Sequence, residues 1–270
     1  MGAVSNHGSS GEVARCALSR NKEPASYEYR MEGHGISGAD RKRCKLRTRR
    51  RDLLELGGIY ALILVVIWTP RPWQAVLWVI AAGIMIYIAY LSFEGLRPMG
   101  LCTANLVRSL WAVAFAMAVA MIAVVLAVRL HTLHLPETPW LFLRKYGLYV
   151  LWAAVQQIIL QWFFLSRWLR LMNDATSAAA LTAGLFAVAH LPNPILTLIT
   201  LVFGMASCFF FLHYRNLVPL AIAHAILGTC IGITIPAAID HNMRVGISYL
   251  TYVEHETITK NVLTKPQRPY

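Results

Sequence analysis

From Leu53 to Ile235 the chain is a succession of apolar runs separated by short polar breaks, and that pattern leaves few folds open. A bilayer core takes about 20 helical residues to cross, and backbone groups inside it must find internal partners, so such runs have to be helices. Seven candidates lie near residues 53–69, 73–92, 109–130, 146–166, 177–190, 195–213 and 217–235. The breaks hold Pro70 and Pro72, Arg97 with Pro98, Pro136 and Pro139, Asn173 with Asp174, Pro192-Asn193-Pro194, and Arg215 with Asn216. These residue types end helices and begin turns. The predicted fold is all-α: a polytopic membrane helix bundle of about seven transmembrane helices, with room for an eighth interfacial or re-entrant segment in the stretch that follows.

Composition agrees. Hydrophobic residues make up 57% of the 270 and charged residues 14%, with a mean hydropathy of +0.52, whereas a soluble domain carries about 25% charged residues. A secreted or cytosolic enzyme is excluded. Five scattered cysteines without a CxxC pair support neither a disulfide framework nor a structural zinc site. The net charge of +12 raises a nucleic-acid partner, yet eight basic residues crowd between Arg41 and Arg51, directly before the first apolar run. That placement suits a cytoplasmic membrane anchor, so the expected surroundings are a lipid bilayer and no nucleic acid.

The expected organisation is a disordered basic cytoplasmic tail over 1–52, amino-terminal transmembrane helices over 53–144, a helical core over 145–235 and a carboxyl-terminal tail over 236–270. No apolar stretch near residue 10 has the form of a signal peptide, and Met31 is an alternative start. With the tail inside, Arg97, Arg108, Arg167, Arg170 and Arg215 all fall on the cytoplasmic side, while the opposite breaks hold Arg71, Arg144 and Lys145. The amino terminus is therefore expected in the cytoplasm of a bacterial plasma (inner) membrane.

Polar side chains inside a membrane are costly and mark functional sites by default. Three places stand out: Gln156, Gln157 and Gln161 on the fourth run, His190 at the end of the fifth, and His224 on the seventh. Gln157 and Gln161 are four apart and share a helical face. Counted from the cytoplasmic breaks, Gln157, His224 and His190 lie roughly 15, 12 and 21 Å deep, compatible with one polar site. The plainer alternative is that these groups only hydrogen-bond neighbouring helices. Trp68, Trp73, Trp140 and Tyr146 read as interfacial belt residues, and Gly83, Gly184 and Gly204 as points of close helix packing.

Taken together, the sequence resembles the CPBP family, intramembrane endopeptidases that include CAAX-type prenyl proteases, bacteriocin-processing proteins and abortive-infection proteins. That family has an EExxxR motif on one helix, FxxxH ending a later one, and HxxxN or HxxxD on a final one. Here the corresponding stretches are Gln156-Gln157-Ile158-Ile159-Leu160-Gln161, Phe186-Ala187-Val188-Ala189-His190, and His224-Ala225-Ile226-Leu227-Gly228. Both motif glutamates and the arginine are glutamines, and the last position is Gly228. The resemblance implies cleavage of a membrane-embedded or prenylated peptide by an intramembrane peptidase. His190 would act as base toward water, His224 as oxyanion donor, and Gln156, Gln157 and Gln161 as positioning groups. Phe186, Asn193 and Gly228 would bind substrate or shape the site. No metal or other cofactor is expected, since two histidines fall short of the usual three protein ligands.

A glutamine amide accepts no proton near neutral pH, so the family's glutamate-assisted step has no counterpart at Gln156 or Gln157. The alternative function is an inactive relative that binds a peptide, isoprenoid or lipid in the same cavity. A carboxylate reaching His190 would favour catalysis, and its lack would favour binding.

Overall fold

The computed structural model describes residues 38–93, 95–97, 99–103 and 105–252, with side chains described from Leu46 onward. Contacts divide the chain into two units, Met1–Asp52 and Leu53–Tyr270. Most of the basic tail and residues 253–270 lie outside the described residues. Within them the chain is helical, in the order α1 (Gly38–Trp68), α2 (Trp73–Leu91), α3 (Leu106–Ser109), α4 (Trp111–Arg129), α5 (Pro139–Gln157), a π-helical segment (Ile158–Leu165), α6 (Ser166–Leu171), α7 (Ala175–Val188), α8 (Pro194–Tyr214), α9 (Val218–Thr234) and α10 (Ala237–Asp240). No strand occurs among the described residues.

Each of the seven apolar runs is helical, but fewer are complete spans. Four helices or continuous helix runs are long and apolar enough to cross a membrane, and a fifth is obtained if α9 and the turn after it, bent by 109°, are one broken span. The first run fails because α1 has only 16 residues from Leu53 to its end and is preceded by Arg51 and Asp52. The fifth, α7, has 14 residues. The helix α1 also extends back to Gly38, through the basic cluster expected to be disordered.

Local chemistry sets the helix starts. Thr138 caps α5 by accepting from Leu141 N–H, with Pro139 at the first helical position. Asp174 caps α7 through the N–H groups of Thr176 and Ser177. Asn193 caps α8 by accepting from Leu196 N–H at 3.0 Å. The Asn193 side chain also donates to the carbonyls of Asp240 and Arg244, tying the start of α8 to the segment after α9. Predicted as a site residue, Asn193 is fully buried in this structural joint.

Helix α9 packs against α4 and α5, and α7 packs against α8. Small residues permit the second contact: a Cβ on Gly204 would lie 3.3 Å from Ala183, which is itself fully buried. Gly83 and Gly184 face open space instead, so neither marks the close packing expected of it. Tyr146 departs from the expected belt too; it is buried and donates to the Gly232 carbonyl at 2.8 Å.

A buried ion pair joins α6 to α1. Arg167, 3% exposed in its side chain, donates from Nε and Nη2 to Glu55 Oε2 at 2.9 and 2.6 Å. Its guanidinium lies 3.7 Å over the Phe163 ring and also reaches the Phe163 carbonyl and the Ser92 hydroxyl. Phe163 belongs in turn to an apolar core with Leu56, Ile59, Trp162 and Phe164. An arginine counted from sequence on the cytoplasmic side is here a fixed packing element.

Candidate functional site

The three polar places come from different elements. Gln156 and Gln157 end α5, Gln161 lies in the π-helical segment, His190 follows α7 and His224 sits in the second turn of α9. Short π-helical insertions recur at functional sites because they re-aim side chains within an otherwise regular helix. Here the Ser166 hydroxyl donates back to the Gln161 carbonyl at 3.1 Å.

Gln157 and Gln161 are fully buried, and the Gln161 amide N–H₂ donates to Gln157 Oε1 at 3.2 Å and to Ser207 Oγ at 3.0 Å. The Gln157 amide nitrogen lies 3.2 Å from His224 Nδ1. The series Ser207, Gln161, Gln157, His224 is therefore one hydrogen-bonded chain through the bundle. Among the described residues, the buried Gln161 Oε1 has no hydrogen-bond partner.

His224 is enclosed by aromatic rings. Phe203 lies 4.9 Å away between centroids, and Phe186 and Tyr149 stand edge-on to it at 6.1 and 6.3 Å. Phe186 also meets the His190 ring edge-on at 4.8 Å, so it contacts both histidines. His190 Nδ1–H donates to the Phe186 carbonyl at 2.7 Å, which leaves Nε2 as the lone-pair nitrogen. Neither histidine ring is bonded to a carboxylate among the described residues: His190 has Phe186, and His224 has Gln157.

A cavity of about 990 Å³ opens beside these groups, lined mainly by apolar side chains. Its polar wall includes Gln156, His190 and His224, with Phe186 and Gly228 alongside. Gln157, Gln161 and Asn193 are not part of its lining. The structure therefore sorts the predicted residues into a cavity wall, an amide chain behind it, and the Asn193 joint. No group of three or more His, Cys, Asp or Glu side chains is placed to hold a metal among the described residues.

Sequence reasoning missed Ser207, Tyr149 and the segment after α9, whose Asn242, Met243, Arg244 and Ser248 line the cavity. Ser207 carried a signal as a hydroxyl in the middle of an apolar run. Tyr149 lies seven residues before Gln156, on nearly the same helical face, and that spacing could have found it.

No curated protein and no solved structure matches the chain. Residues 138–230 match the family model described as Rce1-like: Type II CAAX prenyl endopeptidase Rce1-like. That segment, about a third of the chain, contains Gln156, Gln157, Gln161, His190, His224 and Gly228, and over it this integral membrane protein is similar to that family of CAAX-type endopeptidases.

Proposed function

We propose that this chain is a binding member of the family, holding a membrane-embedded or prenylated peptide in its intramembrane cavity without hydrolysing it. The observation that carries this reading is the pairing of the two histidines. His190 is oriented by a backbone carbonyl and His224 by an amide, with no carboxylate bonded to either among the described residues. Peptide hydrolysis needs a group that removes a proton from water, and an amide does not serve. A largely apolar cavity with a few convergent polar groups has the character of a ligand site. The basic residues between Arg41 and Arg51 in the first part of α1 further support an orientation with the amino terminus in the cytoplasm.

One observation favours a second reading. The His190 ring lines the cavity with Nε2 as its lone-pair nitrogen, the form a general base requires. In that reading His190 activates water, His224 stabilises the oxyanion, and the glutamines position the substrate.

Reconstituted in nanodiscs, wild type should bind a fluorescent prenylated peptide saturably. Leu227→Trp, which fills the cavity from its wall, should lose that binding while unfolding at a similar temperature. Absence of saturable binding to folded wild type contradicts the proposal.

A further inference from the structure

Position 228 lies one turn beyond His224 on α9, where a side chain would project from the same face. It is glycine, and the space its side chain would occupy is already taken: a Cβ at 228 would collide with the hydroxyl oxygen and ring of Tyr149. The phenol therefore reaches from α5 into the volume beside His224. Its ring stands at 89° to the imidazole, and Tyr149, His224 and Gly228 all line the same cavity.

Among the described residues nothing accepts the Tyr149 O–H, although its neighbours in the wall are largely apolar. A hydroxyl in such a place is costly unless something bonds to it, so a buried phenol usually finds a partner. Tyr146, one turn earlier on α5, follows that rule by donating to Gly232. Tyr149 differs in lining, beside Gly228, a cavity large enough for a ligand.

The imidazole beside it supplies a second donor. Gln157 presents its N–H₂ to His224 Nδ1, so that nitrogen accepts and the proton resides on Nε2. Two neutral donors on the wall of one largely apolar cavity match a carbonyl oxygen.

We infer that Tyr149 Oη–H and His224 Nε2–H together bind a carbonyl oxygen, ester or amide, of an apolar membrane ligand, and that Gly228 is glycine because it makes room for the phenol. Tyr149 is then a ligand-binding residue that determines specificity for a carbonyl group. The inference rests on the binding function proposed above and adds the chemistry that the ligand must present.

The test uses two probes that share one hydrocarbon chain. N-acetyl-S-farnesylcysteine methyl ester carries carbonyls, and farnesyl ethyl sulfide carries none. Affinities would be read in detergent from the fluorescence of the full chain, in which Trp78 and Trp152 line the cavity. Tyr149→Phe removes only the hydroxyl, and it should weaken the ester about tenfold, the scale of one hydrogen bond, while leaving the sulfide unchanged. Infrared spectra of the ester labelled with ¹³C at its carbonyls should show a carbonyl stretch shifted down in wild type and partly restored in Tyr149→Phe.

Gly228→Ala should displace the phenol and weaken the ester selectively. Because that variant introduces a clash, Tyr149→Ala with Gly228→Asn is the second arm; it returns an amide donor to the same place and should recover discrimination between the probes. Equal ester affinity in wild type and Tyr149→Phe, with an unshifted stretch, overturns the assignment and leaves the binding function standing. Equal weakening of both probes also overturns it, by showing that the hydroxyl serves the fold. Failure of both probes to bind wild type overturns the binding function and this inference together.

Discussion

The amide nitrogen of Gln157 lies 3.2 Å from Nδ1 of His224, and the opposite end of the same amide accepts from Gln161. The direction of this chain sets the imidazole tautomer. With Gln157 Oε1 engaged by Gln161, its N–H₂ faces the ring, and Nδ1 must be the acceptor. A carboxylate at 157 could only accept, and the proton would move to Nδ1. Replacing glutamate by glutamine therefore changes more than charge at this site: it turns His224 outward as an Nε2–H donor.

Nitrogen-15 spectra of histidine-labelled protein should accordingly show His224 protonated at Nε2 in wild type and at Nδ1 in Gln157→Glu. Assignment comes from the resonance lost in His224→Gln. Wild-type protonation at Nδ1 would mean that the amide chain runs the other way.

The Arg167–Glu55 pair predicts an asymmetric set of stabilities. Arg167→Met removes the guanidinium that holds Glu55 Oε2 and should cost about 3 kcal/mol, because removing one partner of a largely buried pair is far worse than removing both. Glu55→Leu combined with Arg167→Met should recover most of the loss. Unfolding in detergent, followed by circular dichroism, measures both variants. A double variant as unstable as the single one would contradict the account.

Asp174 links the start of α7 to pH. The Ser177 hydroxyl, the Ser177 N–H and the Thr176 N–H all donate to its carboxylate, holding its pKa below the ordinary value. A depressed folded pKa gives a contribution that is present above the unfolded value, about 3.9, and is lost as pH falls through the folded one. Hydrogen exchange at the first turn of α7, corrected for intrinsic rates, should rise below about pH 4 in wild type. In Asp174→Ala the turn should exchange fast at every pH; protection that ignores pH in wild type would show that the carboxylate is not the cap.

The helical architecture was legible because apolar runs and their breaks report directly on backbone requirements in a bilayer. Thr138-Pro139, Asp174 and Asn193-Pro194 each start a helix by side-chain capping, and capping depends on local sequence. The number of complete spans was less legible: α1 and α7 are apolar where expected but too short, and the chain turns by 109° after α9. Tyr146 was misjudged because sequence position near a break implies exposure, whereas its side chain folds inward onto Gly232, and the ion pair of Arg167 with Glu55 likewise joins residues far apart in sequence. The pairing of Gln157 with Gln161 followed from helical spacing, but the link to His224 spans 67 residues and the π-helical segment leaves no pattern of its own. Tyr149 escaped notice because its significance depends on the empty position at Gly228 across the helix interface.

The central claim is that the cavity holds its ligand without cutting it. The direct measurement incubates a prenylated peptide with excess protein in nanodiscs, for wild type and His190→Ala side by side, and determines peptide mass over many hours while binding is recorded on the same samples. The account predicts saturable binding by wild type with the peptide recovered intact. Cleavage by wild type that disappears in a folded His190→Ala protein would contradict it and establish histidine-based hydrolysis.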